Sequence, residues 1–324
     1  MAARGRGRRK AWAVVTGLGV VLALVSYLAV RFIHSTASDE CTAHGPDGTA
    51  VSLDLDQASH AATIAAVAHA RALPERAVTI ALATAIQESK LRDLAYGDRD
   101  SLGLFQQRPS QGWGTPAQIR DPVYASGRFF DALVKVPDYL GLPVTVAAQQ
   151  VQHSGYPQAY AQHEDMAATL ADVLTGREGP ALSCTVSGAT AASGEAGASG
   201  GGSGTVAVGG GAGGGAAGSV PDSEAGVEAA VRREFGGAPA AVSVAGSGSV
   251  SYPIALGRAA TGWSLALWLV CHATALHATS VTFDGRRWTS TASDRGWTHA
   301  ASAPGTGRAG AVAVTLAENT QGSA

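Results

Sequence analysis

The chain has 324 residues, with 23 Lys and Arg against 25 Asp and Glu, for a formal net charge of −2. That length permits two modest domains, and the near-neutral balance excludes an electrostatic case for nucleic acid as a partner. Charge is informative only locally.

At the N-terminus Arg4, Arg6, Arg8, Arg9 and Lys10 stand before an uncharged run of Val, Leu, Ala and Gly over 11–30. Such a run is long enough to cross a bilayer as a helix, and the positive-inside rule keeps the basic tail in the cytoplasm. Trp12 and Tyr27 near its ends fit interfacial belts. Ser35-Thr36-Ala37 has the spacing of a signal-peptidase site, but the apolar run exceeds the usual length, which favours an uncleaved anchor. The expected location is therefore the cell membrane, single-pass, with residues 11–30 in the lipid bilayer and the bulk of the chain outside. Residues 1–34 read as tail and anchor, and 35–53 as a short stalk.

Of three cysteines, Cys41 and Cys184 lie on either side of the segment 54–176. An exported compartment allows them to pair, and closing so long a loop restricts the unfolded chain by roughly 4 kcal/mol. The alternative is two unpaired thiols. Cys271 sits in an apolar helical pattern and reads as a small buried hydrophobe.

From Gln57 to Leu73, Ala61, Ile64, Ala65, Ala68 and Ala72 share one helical face, and Pro74 stops the helix. His60 and His69 lie here without metal-ligand partners at a supporting spacing and read as surface or boundary residues. A second helix, about Pro74 to Ser89, carries Ile80, Leu82, Ala83 and Ile86 inward and presents Glu88 at its C-terminal end. Ser89 adds a hydroxyl. Tyr96-Gly97-Asp98-Arg99 and Gly103-Leu104-Phe105-Gln106 follow, with glycines that let backbone approach a ligand closely.

These three pieces, Glu88-Ser89, Gly97-Asp98-Arg99 and Gly103-Leu104-Phe105-Gln106, resemble in order and spacing the motif series of goose-type lysozymes and soluble lytic transglycosylases. The resemblance covers about 54–176. It implies a mainly helical lysozyme-like fold acting on peptidoglycan glycan strands, with no cofactor. Glu88 would be the acid that protonates the leaving oxygen, a task for a carboxyl that keeps its proton near neutral pH. Asp98 falls on the aspartate that positions the attacking water in the hydrolytic branch. Where the family has another aspartate, just after the GLxQ turn, this chain has Arg108. With Asp98 at work the enzyme is an inverting muramidase. With Glu88 alone it is a lytic transglycosylase, in which the sugar's own 6-hydroxyl attacks. Asp100 is a backup. Ser89, Gln106, Gln107, Trp113 and Tyr156 are the candidate substrate-binding residues.

Downstream, Thr115-Pro116 reads as a helix N-cap with Pro in the first turn, and Tyr124 to Val134 as a core helix. Val144 to Val151 is a further helix. It leads to Gln152-His153-Ser154-Gly155-Tyr156-Pro157, the place where transglycosylases show an Ala-Tyr-Asn segment. Tyr156 is the aromatic expected to stand in for it. His153 and His163 read as solvated, since the reaction needs carboxylates.

Residues 187–220 are Gly, Ala and Ser with few large apolar side chains and read as a flexible linker with a typical reach of about 30 Å. The two flanking parts are expected to move independently. A small α+β domain over 221–318 follows, with a helix start at Pro221-Asp222-Ser223-Glu224 and a second helix over about Trp263 to Leu276. An Asp284-Gly285 hairpin and a last strand over Ala311 to Leu316 complete it, before a tail over 319–324. The block from Trp263 to Trp288 resembles a module related to zinc DD-peptidases. The metal-binding Asp-His-x-His run of that module is replaced here by Gly310-Ala311-Val312-Ala313-Val314. His272, His277 and His299 lack a ligand pattern, so no metal site is readable, and this part is expected to bind wall peptide or a cell-envelope protein partner.

The expected fold class is thus a multi-domain α+β chain: a transmembrane helix, a mainly α lysozyme-like domain, a Gly-rich linker and a small α+β domain. The alternative to a glycan-cleaving enzyme is a catalytically inactive lysozyme-like wall-binding or scaffold protein at the membrane.

Overall fold

Asp54 begins the helical part: its carboxylate accepts from Gln57 N, while the Gln57 side chain accepts from Asp54 N, a reciprocal cap that starts α1 (Leu55–Ala70). The computed structural model describes residues 39–187, 223–237, 240–243, 248–300 and 310–317. Pro74 precedes α2 (Glu75–Ser89), matching the helix expected at 74–89. Two helices follow, the first a single turn. Thr115 and Gln118 form a second reciprocal cap for α3 (Pro116–Ile119), and the Asp121 carboxylate caps α4 (Pro122–Leu133). The set continues with α5 (Val144–Gln152) and α6 (Glu164–Leu174).

The segment expected as a stalk instead enters the fold. Strands β1 (Glu40–His44), β2 (Ala50–Asp54) and β3 (Leu182–Thr185) form an antiparallel sheet in the order β2-β1-β3. Cys41 and Cys184 are directly opposite in the β1–β3 register, and a disulfide joins them across a sequence separation of 143.

The remaining elements are α7 (Glu224–Phe235), β4 (Val242–Ser243), β5 (Ser249–Pro253), α8 (Ala259–Cys271), β6 (Ala278–Phe283), β7 (Arg286–Thr289), β8 (Thr298–His299) and β9 (Ala311–Leu316). They build a second antiparallel sheet, ordered β4-β5-β9-β6-β7-β8. The expected hairpin is there: Asp284 and Gly285, at φ 47° and 70°, turn β6 into β7.

Two further expectations are corrected. The first is the membrane-spanning architecture: among the described residues no helix is long and apolar enough to cross a membrane. The fold class is therefore that of an α+β body with two antiparallel sheets, and the run at 11–30 lies outside the described residues. The second is independence of the two parts. Every residue of α8 from Gly262 to Cys271 is buried, because one side of the helix packs on β6 and β9 and another on α1. One hydrophobic core runs through both parts.

Specific contacts hold this seam. Gly176, at φ 80°, comes so close to α8 that a Cβ there would lie 2.0 Å from Ala260 O. Trp268 Nε1 donates to the buried Glu234 at 2.6 Å, and Trp268 stacks on His272 with ring centroids 4.3 Å apart. Strand β3 would otherwise present an open edge. Instead Leu182 O accepts from Trp297 Nε1 at 2.7 Å and Cys184 O from Trp288 Nε1 at 3.0 Å.

Candidate active site

Helix α2 ends abruptly. Lys90 and Leu91 both adopt the left-handed conformation, at φ 56° and 59°, a cost of about 1–3 kcal/mol each for non-glycine residues. The packing that holds them there includes the buried Leu91 side chain, and the Leu91 carbonyl meets His60 Nδ1 at 2.7 Å. This break fixes the direction in which the last turn, with Gln87, Glu88 and Ser89, faces its surroundings.

Glu88 is half-buried, and its Oε1 accepts a 2.6 Å hydrogen bond from the phenol of Tyr160. Tyr160 is fully buried. Burial first, and then the hydrogen bond and negative charge of Glu88, push the phenol's pKa well above its ordinary value, so the group remains a donor. The loop that carries Tyr160 is itself anchored: Thr145 Oγ1 donates to Pro157 O at 2.6 Å, and Gln149 Nε2 to Ser154 O at 2.9 Å. Beside Glu88, the Gln87 side-chain oxygen lies 2.8 Å from His163 Nε2 and accepts from Gln162 Nε2 at 3.2 Å. His163 is half-buried, and burial lowers its pKa.

Ser89 is buried, with its hydroxyl bonded within the protein. Its hydroxyl lies 2.8 Å from Leu104 O and 3.0 Å from Ala85 O, and accepts from Arg92 N. With one proton to donate, it ties the end of α2 to the turn at 103–106. Gln106, at φ 47°, lays its amide over Gly97, where a Cβ would lie 1.8 Å from the Gln106 side-chain oxygen. Its Nε2 donates to Gly103 O at 3.2 Å and reaches Tyr96 O at 3.4 Å. Gln106 therefore clamps the two glycine loops together. Gln107 is buried, pairs its backbone with Leu102 and donates Nε2 to Ala125 O.

The two aspartates behave differently. The Asp98 side chain is 93% exposed, and among the described residues its one ion-pair neighbour is Arg99 at 3.9 Å. Asp100 accepts from Arg108 Nε and Ser110 N, both at 2.8 Å, and Arg108 first, then Ser110, holds its carboxyl well below the usual range. Arg108, which stands where the resembled family has an aspartate, thus serves to lock Asp100 into the loop.

Trp113 is half-buried against the core, and its carbonyl accepts from Tyr124 Oη at 3.2 Å. Tyr156 is 78% exposed, and the aromatic that meets Glu88 is Tyr160 instead. The signal for Tyr160 was present in the sequence. Ala159-Tyr160 has the first two residues of the Ala-Tyr-Asn segment, slightly downstream of where the spacing placed it. Cys271 is buried, and burial pushes its thiol up to about 12. Among the described residues no group of three or more His, Cys, Asp and Glu side chains is placed to hold a metal ion.

Comparison with protein-family models and with curated proteins gives no match to this chain.

Proposed function

We propose that this chain cleaves the β-1,4 bond between N-acetylmuramic acid and N-acetylglucosamine in peptidoglycan glycan strands, with Glu88 as the acid. The observation that carries the reading is the Glu88–Tyr160 pair: a carboxyl at the end of a buried helix, oriented by a buried phenol at 2.6 Å and flanked by the clamped glycine loops. Tyr160 occupies Oε1, and no described residue hydrogen-bonds Oε2, which is the oxygen left to serve the substrate.

One positioned carboxyl favours the transglycosylase branch of the chemistry. Glu88 gives its proton to the leaving glycosidic oxygen as the C1–O bond breaks. The carboxylate then takes the proton of the muramic 6-hydroxyl as that oxygen bonds to C1, which closes a 1,6-anhydro ring and restores the acid. No water is consumed. An inverting hydrolase needs a second carboxylate about 6.5–9.5 Å from the first to hold a water. Among the described residues the exposed Asp98 carboxylate has only the likewise exposed Arg99 beside it, at 3.9 Å, and Asp100 is tied to Arg108 and Ser110.

Clearing of purified peptidoglycan embedded in a gel tests the reading. The wild-type chain is expected to clear it and Glu88→Gln is not. Equal clearing by both would remove Glu88 from the chemistry.

A further inference from the structure

A second site lies away from Glu88. A groove of about 410 Å³ opens where the outer face of the three-stranded sheet meets the segment after β7. Strand alternation buries Cys41, Ala43, Leu182 and Cys184, so the groove is lined on this side by Thr42, His44, Ser183 and Thr185. Arg286, Asp294, Arg295 and Trp297 line it from the other part of the fold.

The groove is preformed. Trp297 Nε1 is bonded to Leu182 O at 2.7 Å, and Val186 N donates to Ser293 Oγ at 3.0 Å, so both walls are held together by the fold. Gly296, at φ 60°, lets the backbone approach so that a Cβ would lie 3.4 Å from Ser183 Oγ. That hydroxyl is shielded from solvent and has no hydrogen-bond partner among the described residues. Arg286 and Arg295 make no ion pair among the described residues, in contrast to Arg71, Arg76, Arg92, Arg108 and Arg120, each of which has a carboxylate partner.

We propose that this groove binds a short zwitterionic peptide end, with its carboxylate on Arg286 and Arg295 and its ammonium on Asp294. A guanidinium recognises a carboxylate through paired, charge-assisted hydrogen bonds. A neutral sugar would cover two guanidiniums without supplying a counter-charge, which is unfavourable. A phosphate polymer would meet repulsion from Asp294 in the same wall. Thr42 and Thr185 in the same wall offer hydroxyls for hydrogen bonds to the peptide backbone. The peptides of peptidoglycan carry ends of this chemistry. The biological source of the ligand therefore rests on the function proposed above, while the recognition chemistry does not.

The test is calorimetric titration of the full chain, as Glu88→Gln, with a synthetic tetrapeptide that has a free C-terminal carboxylate and a free side-chain ammonium. Amidation of the carboxylate is expected to weaken binding about 10- to 100-fold, the usual range for loss of a charge-assisted contact. Arg286→Ala with Arg295→Ala should do the same, with a melting curve confirming the fold; amidation keeps the test intact should that variant unfold. No binding by the tetrapeptide, equal binding of the amidated form, or displacement of the tetrapeptide by glycerol-phosphate polymer or chitotetraose would overturn the proposal. Because the peptide has no glycosidic bond and the protein cannot use Glu88, this result is independent of whether the wild type cleaves glycan.

Discussion

The Tyr160 phenol and the Glu88 carboxyl are 72 residues apart in sequence and 2.6 Å apart in space. The turn after α5, anchored by Thr145 and Gln149, brings that donor to that acceptor. Tyr160→Phe keeps the ring and removes only the donor. It should lower kcat about 10- to 100-fold, the range for a hydrogen bond to a charged group, with little change in melting temperature. Unchanged turnover would reduce Tyr160 to a core residue.

The Cys41–Cys184 bridge closes a loop spanning a sequence separation of 143, and the two residues are paired across β1 and β3. Loop entropy assigns such a crosslink roughly 4–5 kcal/mol. Cys41→Ser with Cys184→Ser should therefore melt well below the wild type, and reductant should bring the wild type down towards the double variant. Identical melting curves with and without reductant would show that the bridge contributes nothing.

The seam between the two parts should be sensitive to pH. His272 is half-buried, and desolvation at the seam first of all lowers its pKa; its Nδ1 lies 2.9 Å from Trp268 O, so that nitrogen carries the proton in the neutral ring. The unfolded chain takes up a proton at about pH 6.5 that the folded state takes up only at lower pH. The stability is thus fully present above that value and is lost as pH falls below it. His69 and His163 are shifted in the same direction. Denaturant melts between pH 7.5 and 5 should show this decline, and His272→Asn, which can still donate to Trp268 O, should flatten part of it. An equally steep decline in the variant would place the titration elsewhere.

Gly176 tests whether the two parts depend on each other. A Cβ there has no room against Ala260 O, and the φ of 80° disfavours any side chain. Gly176→Ala should destabilise the protein by about 1–3 kcal/mol through overpacking. Protease should then cut the part after residue 220 more readily. A variant as resistant as the wild type would mean that the close approach is not needed.

The helices could be read from the sequence because the signals are local. The alanine face of α1, the inward Ile80, Leu82 and Ile86 of α2, and the Thr115-Pro116 start of α3 all act within a few residues. The three-stranded sheet could not, since ECTAH, AVSLD and LSCT are too short for a clear alternation and β3 joins β1 from far along the chain. Docking of the two parts was partly visible. An α8 that is apolar all round needs cover on more than one side, yet the glycine-rich linker directed attention to independence. At the site, Glu88 was legible from its place at the end of a buried helix. The fates of Gln106 and Gln107, one clamping loops and the other in the core, depend on a backbone turn with φ 47° that composition does not reveal. Likewise nothing local distinguishes Asp98, which is free of the loop network, from Asp100, which Arg108 holds.

The most direct test of the account is mass spectrometry of the muropeptides released from purified peptidoglycan by the wild-type chain and by Glu88→Gln. The account predicts products ending in 1,6-anhydro-muramic acid from the wild type and none above background from the variant. Reducing ends heavier by one water would instead mean hydrolysis and return Asp98 to the mechanism, and the same products from Glu88→Gln would contradict the assignment of Glu88 as the acid.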